Sequence, residues 1–236
     1  YPENAAQDAF FEEAARTVFD ALTAGDTDVA LLIDALGKAA AEGRLMYQTT
    51  DATVMQALGT SPVAGPLPAN NEDATVLGVF INDKTIGKVQ YYLRNEVIAE
   101  STQCSIDSPA TFSAEAIVTN VLTPEEYAVL PPYINAGGPM IERGVNAVDV
   151  VFYGPEGTEY VGIDGEGAWG DVRVGQHLNR PVVQVLVEPG LLETVKVKAL
   201  FTATASQANE SFAPFEVRAT PLPFATPITV TTPGCE

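Results

Sequence analysis

The sequence predicts an α+β protein in which an N-terminal helical hairpin and a short helix pack on a C-terminal antiparallel, immunoglobulin-like β-sandwich. Three observations predict this fold. Apolar residues recur at helical spacing near the N-terminus, they alternate with polar residues farther along, and three prolines lie in the stretch 61–71 between the two patterns. We therefore assign residues 1–71 to a helical subdomain and residues 72–236 to the sandwich domain, with a β-barrel as the alternative architecture.

Two amphipathic helices and one short helix are predicted first. The first helix covers residues 4–24 and stops at Gly25, with its apolar face formed by Phe11, Val18, Phe19 and Leu22. A second helix, capped by Thr27 and ended by Gly43, repeats the pattern with Val29, Leu32, Ile33 and Leu36. A short strand over residues 44–49 and a brief helix, which Thr50 can cap and Gly59 can end, complete this part.

The second part of the chain has the period-two pattern of strands separated by turn residues such as Gly154-Pro155 and Pro189-Gly190. The alternation is clearest where Val195, Val197 and Phe201 share one face of a half-buried strand. The predicted strands are residues 75–82, 88–101, 111–122, 146–153, 158–163, 170–174, 181–187, 193–204 and 226–232, with one helical turn at 124–130.

The composition excludes several classes of function. Among 236 residues, 31 are acidic and 12 are basic, which gives a formal net charge of -19. Nucleic acid would be repelled by this charge, and an anionic lipid surface is disfavoured for the same reason. Cations, basic proteins and neutral glycans remain compatible partners. Because 46% of the residues are hydrophobic, the chain is expected to fold rather than to be disordered.

The two cysteines, Cys104 and Cys235, are predicted to form a disulfide. With His177 as the sole histidine, they provide too few ligands for a structural zinc site, so we expect no metal and no cofactor. Two unrelated buried thiols are the alternative, but burial is awkward for Cys235, which is the penultimate residue. A disulfide favours an oxidising, extracellular or cell-surface location.

Four segments in order carry a resemblance to a known family. They read Ala-Ala-Ala-Glu-Gly-Arg-Leu from residue 39, Val-Ala-Gly-Pro-Leu-Pro from 63, Val-Leu-Gly-Val-Phe-Ile-Asn-Asp from 76, and Gly-Lys-Val-Gln-Tyr-Tyr-Leu from 87. This order resembles the C-terminal part of the uncharacterised domain of unknown function 4012, found in envelope-associated proteins of high-GC Gram-positive bacteria. Val89 stands where that family often has Met. The resemblance implies a secreted, cell-envelope location and a full-length protein with an upstream membrane anchor, but it implies no activity.

One group of residues is a candidate binding site. Asp83 ends one predicted strand and Lys88, Tyr91 and Tyr92 begin the next, so a tight hairpin would gather a carboxylate, an ammonium and two phenols for a sugar or a peptide. Ordinary turn chemistry explains the same residues and is favoured. Arg44 is a further candidate for binding an anion, although an arginine after a helix more often contacts the last carbonyls or a nearby acid.

No catalytic residues are predicted. Neither Gly-x-Ser-x-Gly nor a phosphate-binding glycine loop occurs, and nothing in the sequence selects two of the many carboxylates as a glycosidase pair. We therefore expect a non-enzymatic interaction or structural module whose partner is an envelope glycan or another extracytoplasmic protein. The alternative is an accessory domain of an enzyme that acts on cell-wall or surface glycopolymers.

Overall fold

The computed structural model describes residues 2–25, 28–102, 109–131, 133–134, 141–204 and 212–232. Its helices are α1 (Pro2–Thr23), α2 (Val29–Ala41), α3 (Ala52–Leu58) and α4 (Pro124–Val129). Its strands are β1 (Thr75–Asp83), β2 (Leu93–Thr102), β3 (Thr111–Asn120), β4 (Val148–Tyr153), β5 (Glu159–Glu166), β6 (Trp169–His177), β7 (Arg180–Val187), β8 (Thr194–Thr202), β9 (Phe215–Ala219) and β10 (Ile228–Thr231). The predicted α+β class is confirmed.

The strands form two five-stranded sheets. Sheet A has the order β6-β7-β4-β1-β9, and sheet B has the order β10-β2-β3-β8-β5. Most neighbours are antiparallel, but β9 pairs with β1 in parallel and β10 pairs with β2 in parallel. The prediction of an antiparallel sandwich is therefore wrong at one edge of each sheet. The last two strands of the chain arrive by crossovers rather than hairpins, and a crossover can deliver a strand in the parallel direction.

The inward side chains of both sheets form one hydrophobic core. Sheet A contributes Leu77, Val79, Phe152 and Val185 among others, and sheet B contributes Leu93, Val97, Phe112, Val197 and Phe201. The alternation predicted for β8 is confirmed, because Val195, Val197, Ala199 and Phe201 are all buried. Burial of one face of the central strands, as in β2 and β8, explains why a period-two sequence is stable here as two packed layers.

The two long helices do not bury their apolar faces. In α1, Phe10, Phe11 and Phe19 are 67%, 59% and 66% exposed, and α2 has no buried residue. The prediction that the hairpin packs on the sandwich is therefore wrong for these faces. The cap of α2 is Asp28, whose carboxylate accepts hydrogen bonds from the amides of Ala30 and Leu31. The predicted cap, Thr27, lies outside the described residues.

The segment between α2 and β1 is held to the C-terminal part of the chain by arginine side chains, and it does not form the predicted strand at 44–49. Its amide at Tyr47 donates to the Val63 carbonyl at 2.8 Å, and no strand is formed at 44–49. Helix α3 is capped by Asp51 rather than by the predicted Thr50. None of the helices in the described part of the chain has the length and apolarity required to span a membrane.

A close approach between Gly165 and its neighbours gives a first prediction. A Cβ atom at Gly165 would lie 2.5 Å from the Lys196 carbonyl oxygen and 2.9 Å from Nε1 of Trp169, whereas one at Gly162 on the same strand would meet nothing within 4 Å. We expect Gly165→Ala to lower the free energy of unfolding by about 1–3 kcal/mol through overpacking, and Gly162→Ala to change it by less than about 0.5 kcal/mol. Urea unfolding followed by Trp169 fluorescence checks this. Equal midpoints for the two variants would contradict it.

Candidate functional site

The predicted hairpin around Asp83 does not form, because β1 belongs to sheet A and β2 to sheet B. The carboxylate of Asp83 instead accepts hydrogen bonds from the amide and the hydroxyl of Thr85, at 2.8 and 2.6 Å. This is the local turn chemistry that competed with the binding hypothesis. The neighbouring Lys84 pairs with the buried Asp149 at 3.2 Å. Asp83 is thus engaged in holding the end of β1.

Lys88, Tyr91 and Tyr92 stay together in the 3-10 helix Val89–Tyr92 and its cap, immediately before β2. The rings of Tyr91 and Tyr92 meet edge to face, with 5.4 Å between their centroids. Phe224, from the segment between β9 and β10, also packs here, and its ring centroid lies 5.4 Å from that of Tyr91. The sequence did not reveal Phe224, because 133 positions separate it from Tyr91.

Arg94 completes this aromatic cluster of Tyr91, Tyr92, Arg94 and Phe224. Its guanidinium carbon lies 3.4 Å from the centroid of the Phe224 ring, a cation–π contact. The same group donates to the carbonyls of Tyr91 and Leu93 at 3.2 and 2.9 Å. One face of Phe224 is therefore occupied, whereas Tyr91 is 54% exposed and is the ring of the cluster most available for stacking.

Arg44 serves to attach the segment after α2 to the C-terminal part of the chain. Its Nε donates to Glu42 at 2.8 Å, and its Nη2 donates to the carbonyl of Leu222 at 2.7 Å. Pairing with a nearby acid was the alternative that the sequence favoured. With these partners, Arg44 is occupied by structural contacts.

A groove of about 430 Å³ lies on the outer face of sheet B. Four strands of the sheet contribute to it, and its lining residues are Glu100, Thr102, Thr111, Ser113, Gly162, Ile163, Asp164, Lys198 and Leu200. The lining combines hydroxyls, carboxylates and one ammonium with apolar side chains, and the groove is shallow and widely open to solvent. The sequence gives no signal for this groove, because its lining residues come from four separate strands.

Strand register places charges of both signs across this face. Lys198 of β8 lies opposite Glu115 of β3 and opposite Asp164 of β5. Two positions earlier on the same strand, Lys196 forms an ion pair with Glu166 at 3.2 Å. Exposed cross-strand pairs of this kind contribute little to stability, so these charges are available to contact a ligand.

The two carboxylates of the groove are poorly placed for glycoside hydrolysis. Glu100 is on β2 and Asp164 is on β5, so their strands are three interstrand spacings apart in sheet B, or roughly 14 Å. Paired catalytic carboxyl groups lie about 5–9.5 Å apart. One oxygen of Asp164 also accepts a hydrogen bond from the amide of Gly165 at 2.8 Å. The groove is better suited to binding than to acid–base chemistry on a glycosidic bond.

Two further arginines, which the sequence did not single out, are partly desolvated. Burial lowers the pKa of Arg180, and the nearby Glu156 opposes that shift. Burial also lowers the pKa of Arg218, opposed by Glu216. Arg218 donates to the carbonyls of Pro66 and Thr60. Both guanidinium groups hold the proline-containing segment on sheet A and are not directed at a ligand site.

The remaining candidate residues, Cys104 and Cys235, lie outside the described residues. No family model, curated protein or solved structure matches this chain. The resemblance to the domain of unknown function 4012 and the envelope location that it implies therefore stay predictions.

Proposed function

We propose that this chain is an extracytoplasmic, cell-envelope-associated module that binds a neutral glycan on the outer face of sheet B and has no enzymatic activity of its own. The single observation that supports the proposal most is the groove with its mixed lining. Hydroxyl groups can both donate hydrogen bonds to sugar hydroxyls and accept them, and carboxylates can accept them. The Leu200 and Ile163 side chains offer apolar contact to a ring face. The net charge of -19 favours a neutral ligand over a polyanion.

The aromatic cluster supports the same reading as a second contact area. Arg94 and Glu100 lie on the same face of β2, six residues apart, which corresponds to about 20 Å along a strand. A glycan of several sugar units that fills the groove near Glu100 would reach Tyr91, which immediately precedes the opposite end of β2. A partly exposed tyrosine such as Tyr91 offers an apolar ring face for stacking against a sugar and keeps its hydroxyl in water.

Lys198 and Lys196 provide a matched test. Both lie on the outer face of β8, but only Lys198 lines the groove. We expect Lys198→Glu to weaken binding of a neutral oligosaccharide roughly 10- to 100-fold, since it removes a charge-assisted hydrogen bond, while Lys196→Glu changes affinity less than about threefold. Calorimetry with a panel of neutral oligosaccharides measures this. Equal losses, or no binding to any member of the panel, would contradict the proposal.

The alternative function is an accessory domain of an enzyme acting on cell-wall or surface glycopolymers. The presence of Glu100 and Asp164 in one groove favours it, and their separation across three interstrand spacings weighs against it. Incubating the isolated chain with the same oligosaccharides separates the two functions. Any hydrolysis that Glu100→Gln abolishes would replace the non-enzymatic assignment.

A further inference from the structure

The groove on the outer face of sheet B has small residues on both sides of Leu200. Strand register places Leu200 of β8 opposite Ser113 of β3 on one side and opposite Gly162 of β5 on the other. Gly162 has no side chain, and a Cβ atom added to it would meet nothing within 4 Å. Leu200 is therefore an apolar side chain with open space beside it, in a groove whose surface is predominantly apolar.

Charged side chains of both signs lie next to this apolar position. Lys198 is two residues away on the same strand and lies directly opposite Asp164, so both are neighbours of Leu200 on one face of the sheet. Glu100 lies opposite Ser113 on the adjoining strand and also lines the groove. The groove therefore places one strong hydrogen-bond donor and two carboxylate acceptors beside an apolar contact.

The ammonium group of Lys198 is available to a ligand. Lys196, two positions earlier on the same face, forms an ion pair with Glu166 at 3.2 Å. Lys198 lies opposite Glu115 and Asp164, but it forms no ion pair with another residue in the described part of the chain. A ligand oxygen can therefore accept a hydrogen bond from Lys198 without displacing a carboxylate of the protein.

These features define the substituent that the groove fits best. It is uncharged, because a carboxylate would meet Glu100 and Asp164, and an ammonium would lose water against a predominantly apolar surface next to Lys198. It carries both a donor and an acceptor, and it has an apolar end for Leu200. An acetamido group has all three properties, since its N–H donates, its carbonyl accepts and its methyl is apolar. A sugar hydroxyl has no apolar end.

We propose that the groove selects sugars that carry an N-acetyl group, an inference that rests on the glycan-binding function proposed above and names its sugar class. The acetyl methyl packs on Leu200 in the space beside Gly162. The amide carbonyl accepts a hydrogen bond from Lys198, and the amide N–H donates to one of the two carboxylates of the groove. Each feature of the lining thus has a counterpart on the same substituent.

Three matched ligands test this selection. The β-1,4-linked tetramers of glucose, N-acetylglucosamine and glucosamine differ only in the group on carbon 2 of each sugar. By calorimetry, we expect the N-acetylglucosamine tetramer to bind roughly 5- to 20-fold more tightly than the glucose tetramer, because it adds a buried methyl and an amide hydrogen bond. Equal affinities for these two would overturn the inference and leave glycan binding intact. Tightest binding of the cationic glucosamine tetramer would also overturn it, and binding of no tetramer or other neutral oligosaccharide would overturn both proposals.

Variants of the groove locate the contact. Leu200→Thr removes the apolar contact, so we expect the preference for the N-acetylglucosamine tetramer over the glucose tetramer to fall below about twofold. Gly162→Val occupies the open space and should weaken both tetramers at least about tenfold. Gly175→Val is the matched control, because a Cβ atom at Gly175 on sheet A also meets nothing within 4 Å, and it should change affinity less than about twofold.

Urea unfolding followed by Trp169 fluorescence shows whether each variant keeps the wild-type stability. A preference that persists unchanged in a folded Leu200→Thr variant would overturn the inference, and so would equal effects of the two glycine substitutions.

Discussion

Replacing Arg180 with methionine is expected to lower the free energy of unfolding by about 3–5 kcal/mol. This side chain is only 3% exposed, and its guanidinium group donates to three carbonyls. The acceptors are Val76 at 2.8 Å, Gly154 at 3.0 Å and Pro68 at 2.5 Å. Methionine fills a similar volume but leaves all three buried oxygens without this donor, and each unsatisfied group costs about 1–3 kcal/mol.

The three acceptors come from different parts of the fold. Val76 is in β1, Gly154 follows β4, and Pro68 belongs to the proline-containing segment before the sandwich. Arg180 therefore joins two strands of sheet A to the connection with the helices. Lysine has a compact ammonium and cannot reach three carbonyls in a fixed fork, so we expect Arg180→Lys to recover less than half of the loss.

Arg173→Met is the matched control for this experiment. Arg173 lies on the adjacent strand β6, where it pairs with Asp171 at 2.9 Å, and its side chain is 63% exposed. We expect its replacement to change the free energy of unfolding by less than about 0.5 kcal/mol. Guanidinium unfolding followed by circular dichroism measures both variants. Equal stabilities of Arg180→Met and Arg173→Met would show that the buried hydrogen bonds contribute nothing net.

The sequence predicted nine of the ten strands in the described part of the chain, because these strands largely alternate apolar with polar residues. The missing strand, β9, is five residues long, and Pro214 and Pro221 on either side of it favour a loop. The parallel edges could not be predicted, since a strand's own pattern carries no information about which distant strand it joins or in which direction.

The sequence predicted only the part of the candidate site whose residues are neighbours along the chain. Tyr91 and Tyr92 are neighbours in the sequence, and the structure places their rings edge to face. Phe224 reaches them only through the folding of the C-terminal segment, and the groove needs four strands in register. Arg180 has no sequence signal for its role, because its acceptors are backbone carbonyls, which every residue has.

The predicted disulfide joins Cys104 and Cys235, which lie outside the described residues and follow the paired strands β2 and β10 in the sequence. These parallel strands run in register from Val97 with Ile228 to Glu100 with Thr231, so the residue numbers of each pair differ by 131. The two cysteines also differ by 131, since 235 minus 104 gives the same number. Cys104 comes four positions after Glu100 in the sequence, and Cys235 comes four positions after Thr231, the residue paired with Glu100.

We expect the single variants Cys104→Ser and Cys235→Ser, and the double variant, each to lose about 4–5 kcal/mol of unfolding free energy relative to the oxidised protein. Closing a loop of more than a hundred residues restricts the unfolded chain by about that amount. Because either substitution breaks the same bond, the double variant should be no less stable than the singles. Unfolding with and without a reductant measures this, and the three variants should not respond to the reductant.

Mass spectrometry of the non-reduced protein, produced in an oxidising compartment, decides whether the bond exists. We expect a single cross-linked peptide pair containing both cysteines. Such a bond is stable outside the cytosol and is reduced within it, so the extracellular or cell-surface location depends on the same measurement. Two free thiols in natively produced protein would remove the chemical support for that location. The sheets, whose core consists of buried apolar side chains, would be unaffected.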